Sequence, residues 1–177
     1  MSEDPYAPIP GPAVDAIGLL EISPYPTGKR LQAVTIQTEN EHYILDYRAT
    51  ERWWKYAYRH VRVRATSYFN SPEVQSVDGP HLTDIALCMP DGSQPPEVDA
   101  LPFPPRVTSR RAWDEIPGTY ATLVGILNGD QLQIDDGRIT IRPFLRFDRS
   151  LSGAVTLLGS RGEDYLFHTA RGRLGHD

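Results

Sequence analysis

"RATERWWKYAYRHVRVRATSYF", residues 48–69, changes its period halfway along, and that change sets the expected fold. In the first half Trp53, Trp54, Ala57 and Val61 recur at helical spacing behind Thr50, an N-cap type of residue, while Arg52, Lys55 and Arg59 fall on the other side. In the second half Val61, Val63 and Ala65 alternate with Arg62, Arg64 and Thr66, the pattern of a strand with one buried face. A short helix running straight into a strand is expected.

Strand patterns lie on both sides of it. Upstream, IGLLEISPY starts at Ile17. RLQAVTIQTENEHYILDY then reads as a hairpin, with period two on either side of Glu39, Asn40 and Glu41. Downstream, Asp78, Gly79 and Pro80 form a turn signal before the strand HLTDIALCM. The order over residues 16–89 is three strands, a short helix and two strands. In order and length this segment resembles the OB-fold, and the resemblance implies a five-stranded Greek-key barrel whose helix, between the third and fourth strands, plugs one end.

Outside that segment, residues 1–15 are expected to form an extended leader, since the first twelve hold four prolines and a glycine. Residues 90–118 carry seven prolines without a sustained period and read as a linker. Their apolar members, Val98, Leu101, Phe103, Val107, Trp113 and Ile116, are costly to leave in water, so parts are expected to lie along a domain surface; RRAWDEI suits one helical turn. Residues 119–177 return to strands, punctuated by the turn formers Asn128-Gly129-Asp130 and Asp135-Asp136-Gly137.

The second half echoes the first: "GLLEI" answers to "VGILN", "VTIQTENEHYIL" to "LQIDDGRITI" and "HVRVRATS" to "AVTLLGSR", with only DRSLSG where the helix would stand. The fold class is all-β, an OB-like barrel followed by a second small β-domain. A degenerate tandem of barrels and a single larger sandwich or barrel both fit this pattern.

Composition bears on function. With 18 basic and 23 acidic residues, a net charge of -5 and a mildly negative mean hydropathy of -0.42, the chain is expected to be soluble and globular. It lacks the overall cationic field that drives non-specific nucleic-acid binding, so such binding would need a local patch. The amino terminus has acids and prolines where an export signal needs bases and an apolar run, and no membrane span is expected. The single cysteine, Cys88, leaves no internal disulfide and fits a reducing compartment; a cytoplasmic location is expected.

No motif suggests catalysis, a cofactor or a metal. The histidines at 42, 60, 81, 168 and 176 lack zinc spacing, Cys88 has no CxxC partner, and Gly159-Ser160-Arg161-Gly162 is not a nucleophile elbow. Asp135 with Asp136, and Glu163 with Asp164, are neighbours whose side chains would point opposite ways on a strand. Simple alternation puts His81 and Cys88 on opposite faces of their strand, and Cys88 is read as a small buried apolar residue.

One constellation stands out. Arg48, Arg52, Lys55, Arg59, Arg62 and Arg64 lie among Trp53, Trp54, Tyr56, Tyr58 and Tyr68, which would suit stacked bases and tracked phosphates of single-stranded DNA or RNA. The competing reading makes the tryptophans barrel core and the cations a solvated face. By elimination, a non-catalytic adaptor that contacts another protein comes first, and a single-stranded nucleic-acid binder second.

Overall fold

The computed structural model describes residues 4–24, 34–74, 79–143 and 152–173. It is built mainly of strands and divides into two compact units, the bulk of the first ending at Pro102 and the bulk of the second starting at Phe103. No helix among the described residues is long and apolar enough to cross a membrane.

The first unit contains β1 (Ile9–Ile22), β2 (Val34–Thr38), β3 (His42–Asp46), the helical turn α1 (Glu51–Trp54), β4 (Arg59–Phe69) and β5 (Pro80–Cys88). The strands close into a barrel in the order β1-β2-β3-β5-β4, with β3 and β5 parallel and the other pairs antiparallel. That is the OB order, with α1 between the third and fourth strands. Leu20, Ile22, Val34, Ile36, Leu45, Val61, Val63 and Leu82 fill the interior, and Trp53 packs with them.

Closure requires β1 to serve two neighbours. It pairs with β4 from Ile9 to Leu20 and with β2 from Gly18 to Ile22. Where both ladders overlap, Gly18 lies so close to β2 that a Cβ there would sit 2.6 Å from the Gln37 carbonyl oxygen. The strand begins at Ile9, so residues 9–15 of the expected leader are part of it. Its prolines interrupt the ladder rather than prevent it: the register shifts between Pro10 and Ala13.

The helix is shorter than the spacing of Trp53, Trp54, Ala57 and Val61 suggests. It stops at Trp54, and Ala57 and Val61 reach the same core from a turn and from β4. The corner is made by Tyr58 in the left-handed region (φ 58), held by its N–H on the Leu20 carbonyl at 2.8 Å and its hydroxyl on the Ile22 carbonyl at 2.5 Å.

The segment expected as a linker is structured at both ends. Residues 90–97 lie along the first barrel, where Gln94 bonds the Leu87 carbonyl at 2.9 Å and Glu97 pairs with Lys55 at 2.7 Å. Further on, Arg106–Val107 forms β6, and Arg110–Glu115 forms α2, capped by the Ser109 hydroxyl accepting from the Ala112 N–H at 3.1 Å.

The second unit continues with β7 (Tyr120–Asn128), β8 (Gln131–Ile134), β9 (Gly137–Pro143), β10 (Gly153–Arg161) and β11 (Tyr165–Arg173). β8 pairs with β7 and β9, β9 runs parallel to β11, and β10 pairs with both β11 and β7. The pairing ring β7-β8-β9-β11-β10 repeats that of the first unit strand for strand. Gly125 repeats Gly18: it stands opposite Val155 as Gly18 stands opposite Val61, and a Cβ on it would collide with the Gln133 carbonyl. Most of the DRSLSG stretch, with the rest of residues 144–151, lies outside the described residues.

Each barrel has one fully buried tryptophan, at different ends. Trp53 lies where β3 leaves, its indole N–H donating to the Asp46 carboxylate at 3.0 Å. Trp113, on α2 before β7, lies at the β10–β11 turn and donates to the Glu163 carbonyl at 3.1 Å.

The glycine contacts yield a direct expectation. Gly18→Val should destabilise the first barrel by about 1–3 kcal/mol, because a backbone carbonyl has less freedom to yield than a side chain. Urea denaturation followed by tryptophan fluorescence measures it; an unchanged midpoint would mean that β1 is not pinned at this residue.

Candidate binding site

The candidate stacking residues of the 48–69 stretch, Trp53, Trp54, Tyr56, Tyr58 and Tyr68, all have partners within the fold. Trp53 is buried, Trp54 is half-buried with its indole N–H on the Ala49 carbonyl at 2.9 Å, and the buried Tyr56 donates to Gln94 at 2.6 Å. Tyr58 is fixed at the corner already described. Tyr68 faces outward and stacks on His81, ring centroids 5.2 Å apart. None of Trp53, Tyr56 and Tyr58 offers a free ring face for a base.

Four of the six cations are likewise engaged. Arg62 grips Asp15 on β1 through two hydrogen bonds of 2.9 Å, and Arg64 reaches the same carboxylate at 3.5 Å. The Arg62 hydrogen bond and the two positive charges hold the Asp15 carboxyl below its ordinary range. Lys55 is paired with Glu97, and Arg52 lies over the Trp53 ring at 4.3 Å. Arg48 and Arg59 are exposed.

A polar cluster that the sequence does not advertise lies nearby. His81 starts β5, opposite Tyr68, and is only 2% exposed although it points away from the barrel core. Its Nδ1 is 3.0 Å from the Gly79 carbonyl, which can only accept, so Nδ1 carries the proton. Nε2 then accepts from the Tyr47 hydroxyl at 2.5 Å and from the Asn70 amide at 3.2 Å. Burial lowers the imidazole's proton affinity and raises that of the Tyr68 phenol. The result is a neutral latch joining the end of β3 to the β4–β5 corner. With both ring nitrogens committed, it has no free base to offer a substrate.

The face assignment of β5 needs correction. His81 and Cys88 do not lie on opposite faces, because the register with β4 shifts between Arg64 and Thr66, and Asp84 takes a left-handed conformation there (φ 53). Both therefore point outward, opposite Tyr68 and Arg62, but roughly 20 Å apart along the strand. Cys88 is half-buried rather than buried. No group of three or more potential metal ligands occurs among the described residues.

What the first barrel does expose is apolar. Ile9 (49% exposed) faces Phe69 (44%) across the β1–β4 ladder, and Tyr6 (64%) precedes them. Tyr6 is set in place by bonds of its own segment: the Ser71 hydroxyl donates to the Pro5 carbonyl, and the Tyr6 N–H to the Asp4 carboxylate at 2.9 Å. Beside this rim lies an open groove of about 500 Å³ lined by Tyr6, Pro8, Pro10, Tyr68, Asn70 and Thr83. This is the β4–β5 end of the barrel; the corresponding end of the second barrel is closed by Trp113. The alternation read in the sequence runs only from Val61 to Thr66, and it is the ladder to Ile9 that shows Phe69 and Ile9 to be neighbours.

The barrel pairing defines a class of fold, the small closed β-barrel of OB type. No protein-family model matches the chain, and no curated protein and no solved structure matches it.

The latch makes stability depend on pH. Because the folded state holds His81 neutral, the unfolded chain binds a proton first as pH falls through the ordinary histidine value of 6.5, and the fold loses stability below it. His81→Phe keeps a ring against Tyr68 but removes the titration. The fall in urea midpoint between about pH 7.5 and 5.5 should be shallower in that variant than in the parent; equal slopes would remove His81 as its source.

Proposed function

We propose that the chain is a non-catalytic binding module that acts through protein–protein contacts made at the open end of its first barrel. One observation carries this reading: Tyr6, Ile9 and Phe69 are exposed apolar side chains beside a groove, at an end whose counterpart within the second barrel is filled by Trp113. Contiguous apolar surface of this kind marks a site that a partner desolvates. The net charge of -5 and the pairing of Arg62, Arg64 and Lys55 with carboxylates favour a protein partner over single-stranded nucleic acid.

The test pairs the parent chain with an Ile9→Glu/Phe69→Glu variant as baits in an extract of its source cells. Both positions are exposed, so near-UV circular dichroism should be unchanged. A protein captured by the parent and lost from the variant is expected, and an oligonucleotide titration at low salt should leave tryptophan fluorescence unquenched. Identical captured sets, or an oligonucleotide complex that weakens steeply with salt, would overturn the reading.

A further inference from the structure

In the second barrel, one edge of the first strand is completed by the chain itself. β8 covers only Ile126–Asn128 of that edge of β7. Further back along that edge lies β6, which runs parallel to β7 with Arg106 opposite Thr122 and Val107 opposite Leu123. The Thr122 N–H donates to the Pro105 carbonyl at 2.9 Å, and its hydroxyl to the Pro104 carbonyl at 2.7 Å. From the β8–β9 turn, the Asp135 N–H donates to the Thr108 carbonyl at 3.0 Å, and the Asp136 carboxylate accepts from the Arg110 and Arg111 N–H groups. Val107, so placed, is buried in the barrel core.

Among the described residues, no strand pairs with the same edge of the first barrel ahead of β2. β2 covers β1 only from Gly18 to Ile22, so among the described residues 9–17 are paired along one side alone. Aligning the barrels on their closure glycines puts Asp15 where Thr122 stands and Ile17 where Val124 stands. It puts Glu39 and Asn40, in the β2–β3 turn, where Asp135 and Asp136 stand. These four residues line an open cavity of about 540 Å³. Ile17 is 51% exposed, whereas Val124 is half-buried. Glu39 and Asn40 are exposed, and neither is hydrogen-bonded to another of the described residues.

We infer that this edge receives an extended segment of a partner protein, of the type Pro-Pro-x-Val, which adds to β1 as a short parallel strand. The inference rests on the reading of the chain as a protein-binding module, and names the partner's chemistry from the way the second barrel satisfies the same edge. Paired prolines hold the segment extended before it binds, so little conformational freedom is lost on docking. Their carbonyls accept from the edge, as those of Pro104 and Pro105 do. The valine enters between β1 and β2 as Val107 does, and the carboxylate of Glu39 favours a basic residue at x, the place Arg106 holds.

The test uses the whole chain and a fluorescein-labelled peptide of its own residues 102–109, Pro-Phe-Pro-Pro-Arg-Val-Thr-Ser. Saturable anisotropy is expected, with amide shifts in nitrogen-15 spectra at Asp15, Ile17, Glu39 and Asn40. Affinity should fall at least tenfold for Asp15→Pro, which removes the N–H equivalent to that of Thr122. It should fall as far for a peptide carrying Val107→Asp, a change that leaves the protein untouched. No saturation up to about 1 mM peptide, or shifts confined to Thr122 and Leu123 because the peptide merely displaces β6, would overturn the inference. So would a concentration-dependent dimer in sedimentation that the peptide dissolves, since a second copy would then be the occupant. Failure here with capture still dependent on Ile9 and Phe69 removes this inference alone; loss of both removes the protein-binding reading as well.

Discussion

At Gly18 and again at Gly125, a carbonyl oxygen of the second strand occupies the space in which any other residue would carry its Cβ. The first strand of each barrel must reach across to the fourth strand along most of its length while its end pairs with the second. Only by approaching that closely can it bend from one neighbour to the other. The valines opposite, Val61 and Val155, then fill the interior behind the bend. Elsewhere a strand glycine gives up packing for nothing; here it allows a five-stranded sheet to close on itself.

Closure of the sides leaves two ends to be sealed, and the two barrels do this differently. In the first, the helix that connects the third strand to the fourth delivers Trp53, so the end where β4 begins is filled and the β4–β5 end is left with Ile9 and Phe69 at its rim. In the second, α2 arrives ahead of the first strand and delivers Trp113 to the β10–β11 end. The same stretch of chain contributes β6 and so covers the strand edge next to that end. One insertion before β7 thus closes both openings that the first barrel keeps.

The core of the first barrel was legible because it rests on local periods. "HVRVRA" forms β4 with its valines inside, and the hairpin about Glu39 is where the alternation places it. The aromatic cluster was harder, since a tryptophan at a helix end has the same sequence signature whether it stacks a base or plugs a barrel. Asp46, seven residues from Trp53, decides it by taking the indole N–H, and nothing in the sequence pairs the two. Arg62 and Arg64 read as free cations until β1 extends far enough back to bring Asp15 beside them. That extension was obscured by prolines, which lower strand propensity without forbidding a strand that has one unpaired side. His81 was invisible for a different reason: its partners come from two other segments, Tyr47 after β3 and Tyr68 with Asn70 at the end of β4, and a bulge at Asp84 shifts the alternation by which its face would be read.

Those prolines also explain why an unpaired edge can persist on β1. A bare strand edge pairs indiscriminately unless something limits it. Pro10 and Pro12 have no N–H to donate, and the register shift between Pro10 and Ala13 breaks the regular spacing that a long incoming strand would need. Beyond them, only residues 13–17 retain an unbroken run before β2 takes over at Gly18, and Asp15 places a charge in its middle, held by Arg62. A window of that length cannot template a growing sheet, but it is long enough for the two-residue ladder that β6 makes on β7. The edge is therefore limited to short partners by the same residues that made its strand hard to recognise.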